Sequence, residues 1–219
     1  MPEPLTMVMV GAGGGSLLME FARRQFRIFK EILDFVGSAC MMIAFAPVML
    51  LCMLLIKISD PKGPVMYCQV RVGLNGKLFT IYKLRSMYVD AEAHGTAMWA
   101  GQDDPRVIPV CKWMRRSHVD ELPQLWNIFR GEMSLVGPRP ERPEMFQKLS
   151  AQVPEFEQRL TVKPGLTGLA QIKNGYDTDV DSVKRKLDYD LEYIRNMSLG
   201  LEFKLLFATF AKFNDGGAR

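Results

Sequence analysis

Two adjacent carboxylates, Asp120 and Glu121, lie between Arg115 and Arg116 on one side and Arg130, Arg139 and Arg142 on the other. Their stretch, RRSHVDELPQLWNIFRGEMSLVGPRPER, runs into a Gly-Pro-Arg-Pro turn at Gly137 to Pro140. Carboxylates set among arginines suit chemistry on phosphates. Arginine forks hold anionic oxygens in bidentate fashion. Carboxylates hold Mg²⁺, which bridges such oxygens, and one of them can attack phosphorus. A plainer reading also fits the spacing, because helix starts commonly carry Asp or Glu. Pro138 and Pro140 bracket Arg139 and restrict its backbone, so less entropy is lost when it binds a diphosphate. His118 stands two residues before Asp120, and the only other histidine is His94, too few for a histidine-based metal site.

Several elements must position these groups. Asp120 to Phe129 reads as a helix, with Pro123 in its first turn where proline is tolerated. Leu122, Leu125, Trp126 and Phe129 would form its buried stripe. At its N-terminus the dipole would favour both carboxylates, and free amides could meet phosphate oxygens. Upstream, Val65 to Val72 and Lys77 to Leu84 flank Gly73-Leu74-Asn75-Gly76 and read as a hairpin. Its second arm delivers Lys83 and Arg85, two apart and so expected on one face as a cationic pair. Pro143 to Leu160 is a helical connection broken at Pro154. Val162 to Ile172 carries Lys163, Gly165 and Thr167, where glycine permits close backbone approach to a ligand.

The N-terminal half has a different character. Phe21 to Asp34 interleaves Arg23, Arg24, Arg27 and Lys30 with Phe26, Phe29, Ile32 and Leu33, a basic amphipathic helix suited to a membrane surface. Phe35 to Ile56 follows, 22 residues without a charge, long enough to span a bilayer. Pro47 near its middle and equally basic flanks favour a re-entrant helix-break-helix at Ala46-Pro47, with both ends on the cytoplasmic side. Each half would reach about 17 Å at 1.5 Å per residue, about half the hydrocarbon thickness. The glycine-rich start lacks the strand, helix and distal acid of a dinucleotide loop and reads as a flexible leader. Near the C-terminus, Asp181 to Asn196 is amphipathic through Val183, Leu187, Leu191 and Ile194, leaving Lys184, Arg185 and Lys186 solvated or lipid-facing. Ser198 to Phe213 sets Phe203, Leu206, Phe207 and Phe210 on one face, for a membrane or for a core. The net charge of +4 with 48% hydrophobic residues does not by itself indicate nucleic acid and fits an anionic membrane surface. The four cysteines have no metal-ligand spacing and read as reduced packing residues.

The run DELPQLWNIFRGEMSLVGPRPE closely resembles the signature of the bacterial sugar transferases, the monotopic phosphoglycosyl transferases. KLRSM at Lys83 to Met87 and VKPGLTGLAQI at Val162 to Ile172 agree, and the resemblance runs from about Phe29 to Phe210. Two positions depart from the family: Ala46 stands where Ser often precedes the proline, and Leu169 where many members have Trp. The resemblance implies transfer of a sugar-1-phosphate from a UDP-sugar to a polyprenyl phosphate, typically undecaprenyl phosphate, at the cytoplasmic face of the bacterial inner membrane. It implies Asp120 as nucleophile, forming a covalent phosphosugar intermediate, and Glu121 as holder of Mg²⁺, with the two roles exchangeable. Lys83, Arg85, Arg115, Arg139, Pro138 and Pro140 would position phosphates, and the Lys163–Thr167 segment would lie near the nucleotide. The expected architecture is a leader (1–20), a re-entrant membrane hairpin (21–58), a mostly helical α/β cytosolic catalytic head with amphipathic interfacial helices (59–213) and a tail (214–219). Expected partners are the UDP-sugar, the polyprenyl phosphate and the bilayer, with no nucleic acid; a homodimer stays open. A non-catalytic membrane scaffold of a glycan-assembly complex explains the apolar hairpin but not the arginine-ringed carboxylates. A phosphatase using the same Asp is a further alternative.

Overall fold

The computed structural model describes residues 12–89, 104–174 and 180–214; for 12–20, 22, 23, 180 and 212–214 it describes the backbone only. Most of the predicted leader's start, the polar connection after Val89 and the predicted tail lie outside the described residues. The fold is mostly helical with two small sheets.

Helix α1 runs from Ala12 to Ser59. The predicted break at Ala46-Pro47 is not seen as an interruption: helical conformation continues through Pro47. The proline removes one backbone hydrogen bond, while apolar helix formers surround it and a stripe of side chains holds the helix to the head. That stripe recurs every three to four residues. Lys30, Asp34 and Ser38 are buried in its first part, Cys52 and Ile56 in its second. The outer face exposes Phe29, Ile32, Val36, Ile43, Leu50, Leu54 and Ile58. Helix α1 is also the one candidate membrane segment among the described residues.

The hairpin forms as expected. Strands β1 (Met66–Val72) and β2 (Leu78–Leu84) pair antiparallel, Val72 opposite Leu78 and Met66 opposite Leu84. Asn75 and Gly76 adopt positive φ in the turn, a conformation these residues tolerate best. Helix α2 (Lys112–Arg116) precedes a 3₁₀ segment, Val119–Gln124, which passes into α3 (Leu125–Phe129). The predicted helix over Asp120–Phe129 is therefore split. A 3₁₀ turn takes 3.0 residues rather than 3.6, which rotates the buried stripe: Leu125 and Ile128 are buried, whereas Trp126 is exposed.

Strand β3 (Ser134–Val136) pairs in parallel with β4 (Gly165–Thr167). Between them lie α4 (Pro143–Gln152) and a 3₁₀ segment, Pro154–Thr161, divided near Pro154 as the proline predicts. Helices α5 (Leu169–Lys173), α6 (Val180–Arg195) and α7 (Leu199–Asn214) complete the chain. One apolar cluster joins Ile81, Leu125, Ile128, Met133, Leu135, Val136, Leu169, Tyr193 and Leu205. A second sets Cys52 and Ile56 of α1 against Leu84, Ile108, Cys111 and Met114. Val183, Leu187 and Leu191 of α6 close a third with Leu149 and Phe156. Lys186 is not solvated: it is buried and donates to Glu141 at 2.6 Å. Of the cysteines, Cys52 and Cys111 pack inside, but Cys40 and Cys68 are exposed.

Candidate active site

Three pieces of chain converge on the carboxylates: the end of β2, the 3₁₀ segment and the turn after β3. Asn127 helps to join the first two. Its amide donates to the Thr80 carbonyl at 2.7 Å and to Glu132 at 2.8 Å, while its oxygen accepts from the Tyr82 amide at 3.3 Å. This fixes β2 one residue before Lys83.

Glu121 is buried and fully engaged. Lys83 Nζ donates to Oε1 at 2.7 Å, and Arg139 donates Nη2 to Oε1 at 2.5 Å and Nη1 to Oε2 at 3.1 Å. Burial alone would raise the pKa of Glu121, but Arg139 and Lys83 outweigh it and hold the carboxyl well below the usual range. Glu121 in turn raises the pKa of Arg139. Burial lowers the pKa of Lys83, against the pull of Glu121. Asp120 is half-buried, and its carboxylate makes no hydrogen bond or ion pair with the described residues. Burial and then the charge of Glu121 raise its pKa to about 6, against Lys83, Arg115 and Arg139. Neighbouring carboxylates thus have opposite characters. Glu121 orients two cations. Asp120 is free, ionised at neutral pH and more basic than an ordinary carboxylate. His118, at positive φ just before the pair, has its pKa lowered by burial.

The Pro138-Arg139-Pro140 turn is held at successive carbonyls. Gly165 N–H donates to Pro138 O at 2.9 Å, Arg159 to Arg139 O at 2.9 Å, Arg71 to Pro140 O at 2.9 Å and Val72 N–H to Glu141 O at 2.9 Å. Arg159 is itself fixed by Asp190 at 2.7 Å. Gly137, Gly165 and Gly168 meet backbone to backbone, and a Cβ on Gly165 would collide with the Gly137 amide.

Not every candidate reaches the carboxylates. Arg85 lies just past the end of β2, where strand alternation no longer applies. Its guanidinium pairs with Asp60 at the end of α1, at 2.6 Å to the carboxylate and 3.0 Å to the carbonyl. Arg115 is half-buried and acts on Asp120 through its charge. Lys163 points to Glu31 of α1, 3.7 Å away. Thr167 is buried, its hydroxyl 2.7 Å from that of Thr209. Gly165 and Thr167 thus support the arginine turn from beneath. Arg71, Asn127, Arg159 and Asp190 escaped the sequence reading. Each is a lone polar residue with no local pattern, joined to the turn or to β2 only through folding.

The donor set suits Mg²⁺. This ion takes hard oxygens, commonly one or two carboxylates with phosphates and waters. Glu121, the expected holder of the metal, already accepts from two cations through its oxygens. Asp120 offers the free pair. No group of three or more candidate ligands occurs among the described residues.

The chain matches the bacterial sugar transferase family over residues 25–216. It is 42% identical over 188 residues to an undecaprenyl-phosphate glucose phosphotransferase of Komagataeibacter xylinus, covering 84% of this chain and 35% of that protein. It is 40% identical over 195 residues to a UDP-N-acetylgalactosamine-undecaprenyl-phosphate N-acetylgalactosaminephosphotransferase of Aeromonas hydrophila, covering 89% and 46%. To a UDP-glucose:undecaprenyl-phosphate glucose-1-phosphate transferase of Caulobacter vibrioides it is 38% identical over 208 residues, covering 94% and 76%. The chain therefore spans less than half the length of the first two relatives. With the matched region taking in α1 from residue 25 onward, the paired carboxylates and the arginine turn, this chain belongs to the bacterial sugar transferase family.

Proposed function

We propose that the protein transfers a sugar-1-phosphate from a UDP-sugar to a polyprenyl phosphate such as undecaprenyl phosphate. The observation that carries this reading is the contrast between Asp120 and Glu121: one carboxylate is free and basic, the other is spent on orienting Lys83 and Arg139. The three relatives described above carry names of this reaction class.

In the proposed mechanism, Lys83, Arg115 and Arg139 hold the donor's diphosphate, as phosphoryl transfer depends mostly on positioning and charge stabilisation. An Asp120 oxygen attacks the sugar-bearing phosphorus. The P–O bond to UMP breaks, and UMP leaves with the electron pair. The acyl phosphate so formed holds the sugar-1-phosphate. An oxygen of the lipid phosphate then attacks the same phosphorus, and the Asp120 carboxylate leaves unchanged. Bound Mg²⁺ would neutralise charge on the diphosphate.

The membrane reading rests on α1. Its Lys30 and Asp34 are buried against the head near one end, and Cys52 and Ile56 near the other. A helix crossing to the far leaflet would carry one of these ends away from the head. Contact at both ends supports a one-sided attachment, with the exposed apolar face in lipid. The basic flanks favour the cytoplasmic face of the bacterial inner membrane for the head. Exposed Phe203, Phe207 and Phe210 of α7 suit the interface. A cavity of about 360 Å³ lined by Met42, Met49, Met53, Met66, Leu122 and Trp126 opens one residue beyond Glu121 and suits an isoprenoid chain.

UMP release from a panel of UDP-sugars, with undecaprenyl phosphate and Mg²⁺ in detergent, tests the function. Acceptor-dependent release that Asp120→Asn abolishes is the expected result. Wild-type protein that binds no UDP-sugar and releases no UMP would support the scaffold alternative. Free sugar-1-phosphate released without acceptor would support the phosphatase.

A further inference from the structure

Strand β3 is three residues long and has one strand neighbour, β4. Its other edge needs partners, because a buried amide or carbonyl left unpaired is costly. Helix α1 supplies them. Asp34 Oδ1 accepts from the Leu135 amide at 2.9 Å and from Ser134 Oγ at 3.1 Å. Lys30 Nζ donates to the Val136 carbonyl at 3.1 Å and to Glu202 of α7 at 2.5 Å. The Tyr193 hydroxyl lies 3.0 Å from the same carbonyl and 2.6 Å from Glu202. Gly37 brings the helix backbone against Leu135. Asp34, Ser134 and Glu202 are at most 5% exposed, and Lys30 is 8% exposed.

A helix serving only as an anchor has no need to bury an acid and a lysine in the head. Burying charge is expensive unless it is paired and hydrogen-bonded. Here Lys30 is paired with Glu202, Asp34 accepts two hydrogen bonds from β3, and both converge on the strand that leads through Gly137 and Pro138 to Arg139. We propose that Asp34 and Lys30 of the membrane helix are positioning residues for Arg139, so that α1 forms part of the frame of the active site. The transferase reading underlies the kinetic part of this inference; the structural part stands without it.

Two measurements on the full-length protein in detergent test it. In hydrogen exchange, Asp34→Ala speeds exchange across residues 134–141 by about tenfold or more, the β1–β2 hairpin staying protected. Asp34→Asn, which keeps the accepting oxygen, leaves that segment near wild type. This readout needs no activity, so it separates failure of the inference from failure of the transferase reading. In turnover, Asp34→Ala lowers kcat by about 10- to 100-fold, the effect expected of a slightly misplaced reacting group. Asp34→Asn stays within about threefold of wild type. In an Arg139→Lys background Asp34→Ala costs less than about threefold, because residues acting through one another are not additive. Unchanged exchange at 134–141 in Asp34→Ala would overturn the proposal. So would wild-type kcat in that variant, equal losses in Asp34→Asn, or full additivity with Arg139→Lys.

Discussion

Burial and then the charge of Glu121 raise the pKa of Asp120, and Glu121→Gln tests the contribution of that charge quantitatively. In the wild type Asp120 titrates at about 6. In the proposed mechanism the donor-cleaving step needs the ionised form, so its rate falls on an acid limb centred near pH 6, to roughly a tenth at pH 5. Glu121→Gln removes a neighbouring negative charge. Two unit charges about 6 Å apart at an effective dielectric near 20 interact by about 3 kcal/mol, or about two pH units. The same substitution frees Lys83 and Arg139 of their neutralising partner, and both cations already favour ionised Asp120. Burial of Asp120 persists and retains part of the shift. The limb therefore moves down by about one to two units. The rate itself also drops, because Arg139 loses its bidentate partner; the position of the limb, not its height, carries the test. The assay is single-turnover UMP release without lipid acceptor from pH 4 to 8. His118→Gln serves as control, since the buried imidazole titrates below its ordinary value and its removal leaves the limb in place. A limb fixed near pH 6 in Glu121→Gln would refute the coupling. A limb abolished by His118→Gln would assign it to the imidazole.

Other substitutions probe the frame. Asp120→Asn stabilises the fold at pH 8: folding raises the pKa of this carboxyl, so its ionisation opposes the native state above about pH 6. The gain is up to about 3 kcal/mol, reduced where water reaches the carboxylate, and it vanishes below the ordinary carboxylate range; thermal melts at pH 8 and pH 4 check both ends. Arg159→Met leaves Asp190 buried without its cation and releases the Arg139 carbonyl, costing about 3–5 kcal/mol in stability by melting. Gly165→Ala forces the β3–β4 backbones apart; donor affinity should fall by about tenfold or more, as a small misplacement of Arg139 suffices for that. A wild-type affinity would show that the glycine contact does not set the turn.

Much of the site was legible because its chemistry is local. Asp120, Glu121 and Arg139 share one short stretch, and Lys83 ends a hairpin whose turn residues and alternation are plain. The hairpin, the division at Pro154 and the apolar stripe of α6 also follow from spacing. Arg85 did not follow, since the strand ends at Leu84 and Asp60 takes the guanidinium. Lys186 reads as one of three surface cations, yet the fold brings it to Glu141. Pro47 signals a break by its chemistry, but a single lost hydrogen bond does not interrupt a helix braced against the head along its length. The supports from Lys30, Asp34 and Arg159 join residues far apart in sequence, so nothing periodic announces them.

The proposed transfer depends on Asp120 as nucleophile. Intact-protein mass spectrometry after mixing the protein with a UDP-sugar and Mg²⁺, without lipid acceptor, tests this directly. A mass gain equal to one sugar-1-phosphate, matched by UMP release, mapped to Asp120 and discharged by undecaprenyl phosphate, is the predicted result. Full turnover with both substrates but no adduct and no UMP release from the donor alone would mean direct transfer, and would contradict the assignment of Asp120.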